Sequence, residues 1–322
     1  MKRCNKTMME KKKSNLKDKI LVATIIFLIF AANLIYASIP GQKEKNSNGD
    51  LPVYNVFFMK NLFTEVDLND ASTAMSLWVN ELLKEINPKF KLKSEFIDNI
   101  NDIDSSSIKK VAIISLNSID FLNYKNKLNL DGAFVPIISG SVFDEYIMLT
   151  KGNVKNVSEL KNAKIGMGLK KNHLISYLWL DVILSKNQLP LADRFFSLIK
   201  ESEKESRLIL SVFFGQLDAC VVTQNAYDLM VELNPQIKKS LKIIDKSPGL
   251  LTTVTCFSKN FNNIEYRKKV IEGANKLNTY PGGKQILTLM KIEQVTSYKD
   301  NYLDNLKKLL KEYNKIILKS KN

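Results

Sequence analysis

Four short segments of the chain gather hydroxyl, amide and basic side chains directly behind apolar runs. They are Ser115-Leu116-Asn117-Ser118, Gly168-Leu169-Lys170-Lys171-Asn172-His173, Thr223-Gln224-Asn225 and the longer Asn61–Asn69, with Asn61 and Thr64 among its polar groups. Such side chains hold a small polar molecule by hydrogen bonds. Where a helix begins behind them, its free backbone N–H groups and dipole favour negative charge. The candidate ligand contacts are Ser115, Asn117 and Ser118 on one side, and Lys171, Asn172, His173, Thr223 and Gln224 on the other. Ordinary structural roles compete for several of these. Ser118, Asn172 and Asn225 read equally as helix caps, Lys170 and Lys171 as solvated surface, and His173 as a satisfied polar side chain. The case for a site rests on the coincidence of several such loops. His173 is the only histidine, so a histidine-cluster metal site is excluded. No nucleophile motif and no metal-ligand spacing are visible, so catalytic residues, a metal and a cofactor are not expected.

These loops need elements to position them, and the chain alternates strand-like and helix-like segments from Leu51 onward. Val53–Met59 reads as a strand. Asp70–Ile86 reads as a helix capped by Asn69 or Asp70, followed by strands at Leu92–Phe96 and Val111–Ile114 and a helix through Tyr124. Strands follow at Leu130–Ile138 and Glu145–Thr150. The middle of the chain repeats the pattern: strand Lys164–Met167, helix His173–Lys186, strand Phe195–Ile199, helix Glu203–Phe214, strand Ala219–Thr223, helix Asn225–Leu233 and strand Leu241–Ile244. Gly215 suits the left-handed position that ends a helix. One more strand, Leu251–Phe257, precedes helical segments at Asn263–Asn278, Pro281–Met290 and Asp300–Leu318. This grammar indicates mostly parallel sheets flanked by helices. It predicts two lobes: 51–147 with 250–322 as lobe one, and 148–249 as lobe two, with hinge strands near Glu145–Thr150 and Ser247–Leu251.

Residues 1–50 are set apart. A basic stretch precedes the uncharged apolar run Ile20–Ile35, and the polar stretch 42–50 follows it. The run suits a signal peptide or an uncleaved signal anchor, and positive charge ahead of it places the body outside the cytoplasmic membrane in both cases. Residues 1–37 contribute +6 of the formal charge of +15 and leave the body at +9. A basic body suits an anionic small molecule or membrane surface. Export argues against nucleic acid as a partner. Of three cysteines, Cys4 precedes the apolar run, while Cys220 and Cys256 sit in strand-like runs as buried small hydrophobes with a disulfide left open.

Several stretches resemble the phosphate/phosphite/phosphonate-type substrate-binding proteins of ABC transporters. They are Asn156–Gly168 (NVSELKNAKIGMG), Tyr177–Leu189 (YLWLDVILSKNQL), Ser211–Val222 (SVFFGQLDACVV), with its Gly-x-x-Asp-Ala turn, and Tyr227–Pro248 (YDLMVELNPQIKKSLKIIDKSP). Two departures are visible: family members that bind phosphonates carry small hydroxyl residues after the first strand of lobe two, where this chain has Lys170–Ser176 with Ser176 as the nearby hydroxyl, and the polar loop after Val111–Ile114 lacks the family's frequent glycine-proline pair. The resemblance implies an α/β, two-lobed, type II periplasmic binding protein-like fold. It implies an extracytoplasmic protein, secreted or anchored by residues 20–35 and not an enzyme. Such a protein captures a small anion, phosphonate- or phosphate-like, in the interlobe cleft and acts as a monomer with an ABC permease. The alternative function is a membrane-anchored sensor of the same fold that signals to a membrane partner.

Overall fold

The structure is a computed structural model that describes residues 51–63, 67–86, 89–103, 105–152 and 154–320. The apolar run at 20–35 and Thr64 lie outside the described residues. Among the described residues, no helix is long and apolar enough to cross a membrane.

Two sheets organise the body. The first is built from β1 (Val53–Met59), β2 (Lys91–Ile97), β3 (Val111–Asn117), β4 (Leu130–Ile137), β10 (Thr253–Ser258) and β11 (Gln294–Ser297), in the order β11-β4-β10-β3-β1-β2. The second contains β5 (Tyr146–Lys151), β6 (Lys164–Gly168), β7 (Leu198–Ser202), β8 (Ala219–Thr223) and β9 (Leu241–Lys246), in the order β7-β6-β8-β5-β9. The longer helices are α1 (Leu68–Ile86), α2 (Ser118–Tyr124), α3 (Leu174–Lys186), α4 (Glu205–Phe213), α5 (Gln224–Leu233), α6 (Ile264–Asn275), α7 (Pro281–Leu289) and α8 (Asp304–Ser320).

β1 runs parallel to β2 and β3, and β6 runs parallel to β7 and β8. The central antiparallel strands are those that follow a change of lobe. β5 lies antiparallel between β8 and β9, and β10 lies antiparallel between β3 and β4. The two crossings touch: the backbone N–H of Asp144 donates to the carbonyl of Leu250 at 2.9 Å, and that of Leu250 donates back at 2.8 Å. The Gly-x-x-Asp-Ala turn has a mechanical role. Gly215 takes φ +75° and closes α4, and the Asp218 carboxylate accepts from the Lys164 N–H at 2.7 Å, fixing β8 beside β6. Ala219 is fully buried there.

Several boundaries differ from the sequence reading. β3 continues through Asn117, so Ser115 and Leu116 belong to the strand and not to a loop. Phe195 ends a single helical turn, and the strand begins three residues later at Leu198, on an exposed sheet edge. Asp67, ahead of the predicted caps, receives the first N–H groups of α1. β11 is an added strand that the sequence reading lacks. Cys220 and Cys256 are both free and buried, in different sheets.

The placement of residues 250–322 wholly with lobe one is corrected at its end. α6 and α7 join α1 in the core of the first sheet. α8 instead packs along α3 in the second lobe, where Lys186 pairs with Glu312 at 2.9 Å. The reason lies in α3, whose buried side chains run through Ile175–Leu180 and Val182–Leu184. A helix apolar all round needs cover on both sides. The sheet covers one side, and Leu306 and Leu309 of α8 join the same core cluster.

Candidate functional site

A cleft of about 680 Å³ opens between the lobes at the ends of β1, β3, β6 and β8. Of the candidate contacts, Asn117, Lys171, Asn172, His173 and Thr223 line it. Ser115, Ser118 and Gln224 are not among its lining residues. Ser115 is buried in β3 and shares a 2.8 Å hydrogen bond with Thr255 of β10. Ser118 is fully buried, and its N–H donates to the Thr252 carbonyl at 2.9 Å. Its hydroxyl has no hydrogen-bond partner among the described residues. Gln224 donates to Asp228 along the surface of α5 at 2.8 Å.

The helix caps also fall one or two residues from the predicted positions. Asn117, not Ser118, caps α2: its Oδ1 accepts from the Asp120 N–H at 2.9 Å, and its Nδ2 donates to the Asp120 carboxylate at 2.5 Å. Thr223, not Asn225, caps α5, its Oγ1 accepting from the Ala226 N–H at 3.2 Å. Thr223 also donates to Glu205 from its hydroxyl at 2.6 Å and from its backbone N–H at 2.9 Å. Asn225 is free to turn away from the backbone and donate to Asp144 at 3.1 Å.

α3 is different. His173 takes the cap position in place of Asn172, makes no side-chain cap, and no acid occupies the first turn. The backbone N–H groups of Asn172 and His173 both turn back to the Leu169 carbonyl at 2.9 Å. Lys171, Asn172, His173, Leu174 and Ile175 therefore bring an uncapped, 13-residue helix start to the cleft wall. The His173 ring packs against Gly168, where a Cβ would come within 2.5 Å of the imidazole Cδ2. Burial pushes the imidazole below its ordinary value of 6.5, so the ring is neutral at neutral pH. Behind it, Tyr177 donates to Glu201 at 2.7 Å and lies 3.0 Å from the Gly168 carbonyl, bracing the end of β6.

The opposite character comes from acids that sequence reasoning missed: Asp98, Asp120, Asp144 and Glu205 all line the cleft. Asp98 pairs with Lys60 at 2.6 Å. Asp144 sits where the chain first leaves lobe one. It accepts from Thr252 Oγ1 at 3.0 Å and from Asn225, which ties both crossings to the start of α5. Burial raises the Asp144 and Asp120 carboxyls, with hydrogen bonds from Thr252 and Asn225, and from Asn117, pulling the other way. Burial, together with the nearby charges of Asp144 and Glu205, pushes the Tyr146 phenol well above its usual range. The signal for Asp144 was present in the sequence: a carboxylate two residues before the wholly buried run Tyr146–Leu149 has to lie at the mouth of the sheet.

Two lobes, antiparallel crossing strands and a polar cleft at the strand ends define a solute-binding protein of the type II periplasmic binding class. The sequence matches the family described as "ABC transporter, phosphonate, periplasmic substrate-binding protein" over residues 78–303, and the chain belongs to that family. Family membership implies an extracytoplasmic location. No curated protein sequence matches the chain. Among solved structures, a binding protein component of an ABC phosphonate transporter from Pseudomonas aeruginosa is 16% identical at TM-score 0.58, covering 82% of this chain and 87% of that one. PhnD1 from Prochlorococcus marinus, in complex with methylphosphonate, is 13% identical at TM-score 0.59, covering 83% and 100%. A Xanthomonas citri protein bound to ATP, XAC2383, is 10% identical at TM-score 0.59, covering 82% and 98%. At these identities the likeness concerns the fold.

Proposed function

We propose that this chain captures a small phosphonate-type oxyanion in the interlobe cleft and delivers it, as a monomer, to an ABC permease. Residues 20–35 serve as its export signal or tether, and it performs no catalysis. The observation that carries the reading is the start of α3. Among the described residues it is the one long helix start at the cleft with neither a side-chain cap nor an acid in its first turn, and Lys171 stands beside it. Free N–H donors, a helix dipole and an ammonium together suit an acid group. α2 and α5 already spend their first N–H groups on Asn117 and Thr223. The rest of the solute faces Asp120 and Asp144, which accept from neutral donors in the hydrogen bonds above. A solute with N–H groups at the end opposite its acid therefore fits better than a bare oxyanion.

The test is calorimetric titration with methylphosphonate, aminomethylphosphonate and phosphate. Removing a charged hydrogen-bond partner costs about 1.5–3 kcal/mol, so Lys171→Ala should weaken binding about ten- to a hundredfold. Asp144→Asn should abolish any preference for the amino-substituted compound. Wild-type affinity in a folded Lys171→Ala protein would remove the acid group from the α3 end. Binding of none of the three compounds would sink the phosphonate reading.

A further inference from the structure

The chain leaves lobe one a third time, close to its end. Tyr298 is anchored in the first lobe: its N–H donates to the Ala133 carbonyl at 3.0 Å, and its ring lies on Gly132 and edge-on to Phe121 at 5.6 Å. Six residues later α8 begins and packs on α3 of the second lobe. Between these points the chain grips both hinge crossings. The Tyr302 ring meets Phe143, on the first crossing, at 5.7 Å and 84°. Asn305 Nδ2 donates to the carbonyl of Gly249, on the second crossing, at 2.8 Å. Beyond them, Leu303, Leu306 and Leu309 are buried in a core cluster that includes Leu116 of β3, Leu250 and Leu251 of the second crossing and Leu180 of α3.

We propose that residues 298–312 form a brace that sets the angle between the lobes and carries the position of α3 with it. A hinge of two neighbouring strands leaves one rotation free, since a few backbone dihedrals absorb it. A third link fixed at both ends, and in contact with both crossing segments through Phe143 and Gly249, opposes that rotation. Any opening or closing must slide α8 over α3 or break the contacts of Tyr302 and Asn305. Because the uncapped start of α3 forms part of the cleft wall, the end of the chain and the cleft move as one unit.

The test needs no solute, so it stands whether or not the phosphonate reading does. Spin labels are placed at Lys239→Cys on the second lobe and Lys268→Cys on the first, both exposed, in the full-length chain carrying Cys4→Ser. Two glycines inserted between Lys299 and Asp300 slacken the link. They separate the Tyr298 hydroxyl from Asp300 and the Tyr302 N–H from the Lys299 carbonyl, but leave the bond from the Tyr298 N–H to Ala133 and the packing of α8 on α3 in place. The expected result is an inter-lobe distance distribution broader than the parent's, with its mean displaced, while circular dichroism keeps the same helix content. Tyr302→Ala with Asn305→Ala, which leaves the chain length alone, should broaden it in the same direction and carries the test if the insertion fails to fold. Distributions that superimpose on the parent's would overturn the brace.

Discussion

At the scale of single residues, the cleft combines a neutral histidine, an exposed lysine and carboxylates crowded by protein. The histidine and the buried carboxyls shift in opposite directions. Burial holds the His173 imidazole below 6.5. The unfolded chain therefore takes up the proton first as pH falls, and stability is lost from about 6.5 down to the lowered value and then levels off. His173→Gln should flatten the stability curve over that interval, measured by urea unfolding at closely spaced pH values. A wild-type slope unchanged by the substitution would contradict it. Asp144 acts the other way. Its raised carboxyl binds a proton more readily folded than unfolded, so its contribution to stability grows as pH falls through the raised value toward 3.8. Asp144→Asn should remove that gain.

At the scale of elements, caps and close contacts decide how the loops present these groups. Asn117 makes the side-chain cap of α2, and removing such a cap costs about 1 kcal/mol. Asn117→Ala should therefore lower stability by about that amount. Ser118→Ala deletes a buried hydroxyl that has no hydrogen-bond partner among the described residues, so it should be neutral or stabilising. Thermal melts of the two variants at one pH check the pair, and a larger loss for Ser118→Ala would reverse the assignment. Gly168→Ala should cost about 1–3 kcal/mol and displace the His173 ring, because its methyl group would overlap the imidazole. Most elements were legible in the sequence because apolar periodicity survives wherever an element packs one face. The misses share a cause. The Leu198–Ser202 strand lies mostly exposed at a sheet edge, so its pattern is polar, while the apolar Phe195–Phe196 nearby belongs to a turn. Candidate contacts at the ends of clear strands, such as Lys171 just beyond β6 and Thr223 at the end of β8, line the cleft. Ser115 was misplaced because β3 runs three residues past its strongly apolar core. Asp144 was readable from its place just ahead of a clear strand, whereas Glu205 went unread because only tertiary packing brings it beside Thr223 at the cleft.

At the scale of the whole molecule, a body of charge +9 surrounds a cleft whose far wall is acidic. The surface charge should speed the approach of an anion without deciding what is retained. Association rates for methylphosphonate should then fall with added salt while dissociation rates change little, which stopped-flow measurements can separate. The buried thiols have a separate consequence. Cys256 lies in the first sheet and Cys220 in the second, both fully buried, and burial raises both thiols so that neither forms the reactive thiolate readily. Cys4 apart, each lobe thus carries one silent chemical clock that starts only when its own sheet opens. If the lobes unfold together, a thiol reagent should modify both cysteines at one rate. If they come apart one at a time, the two modification curves will separate and give the order in which the halves are lost.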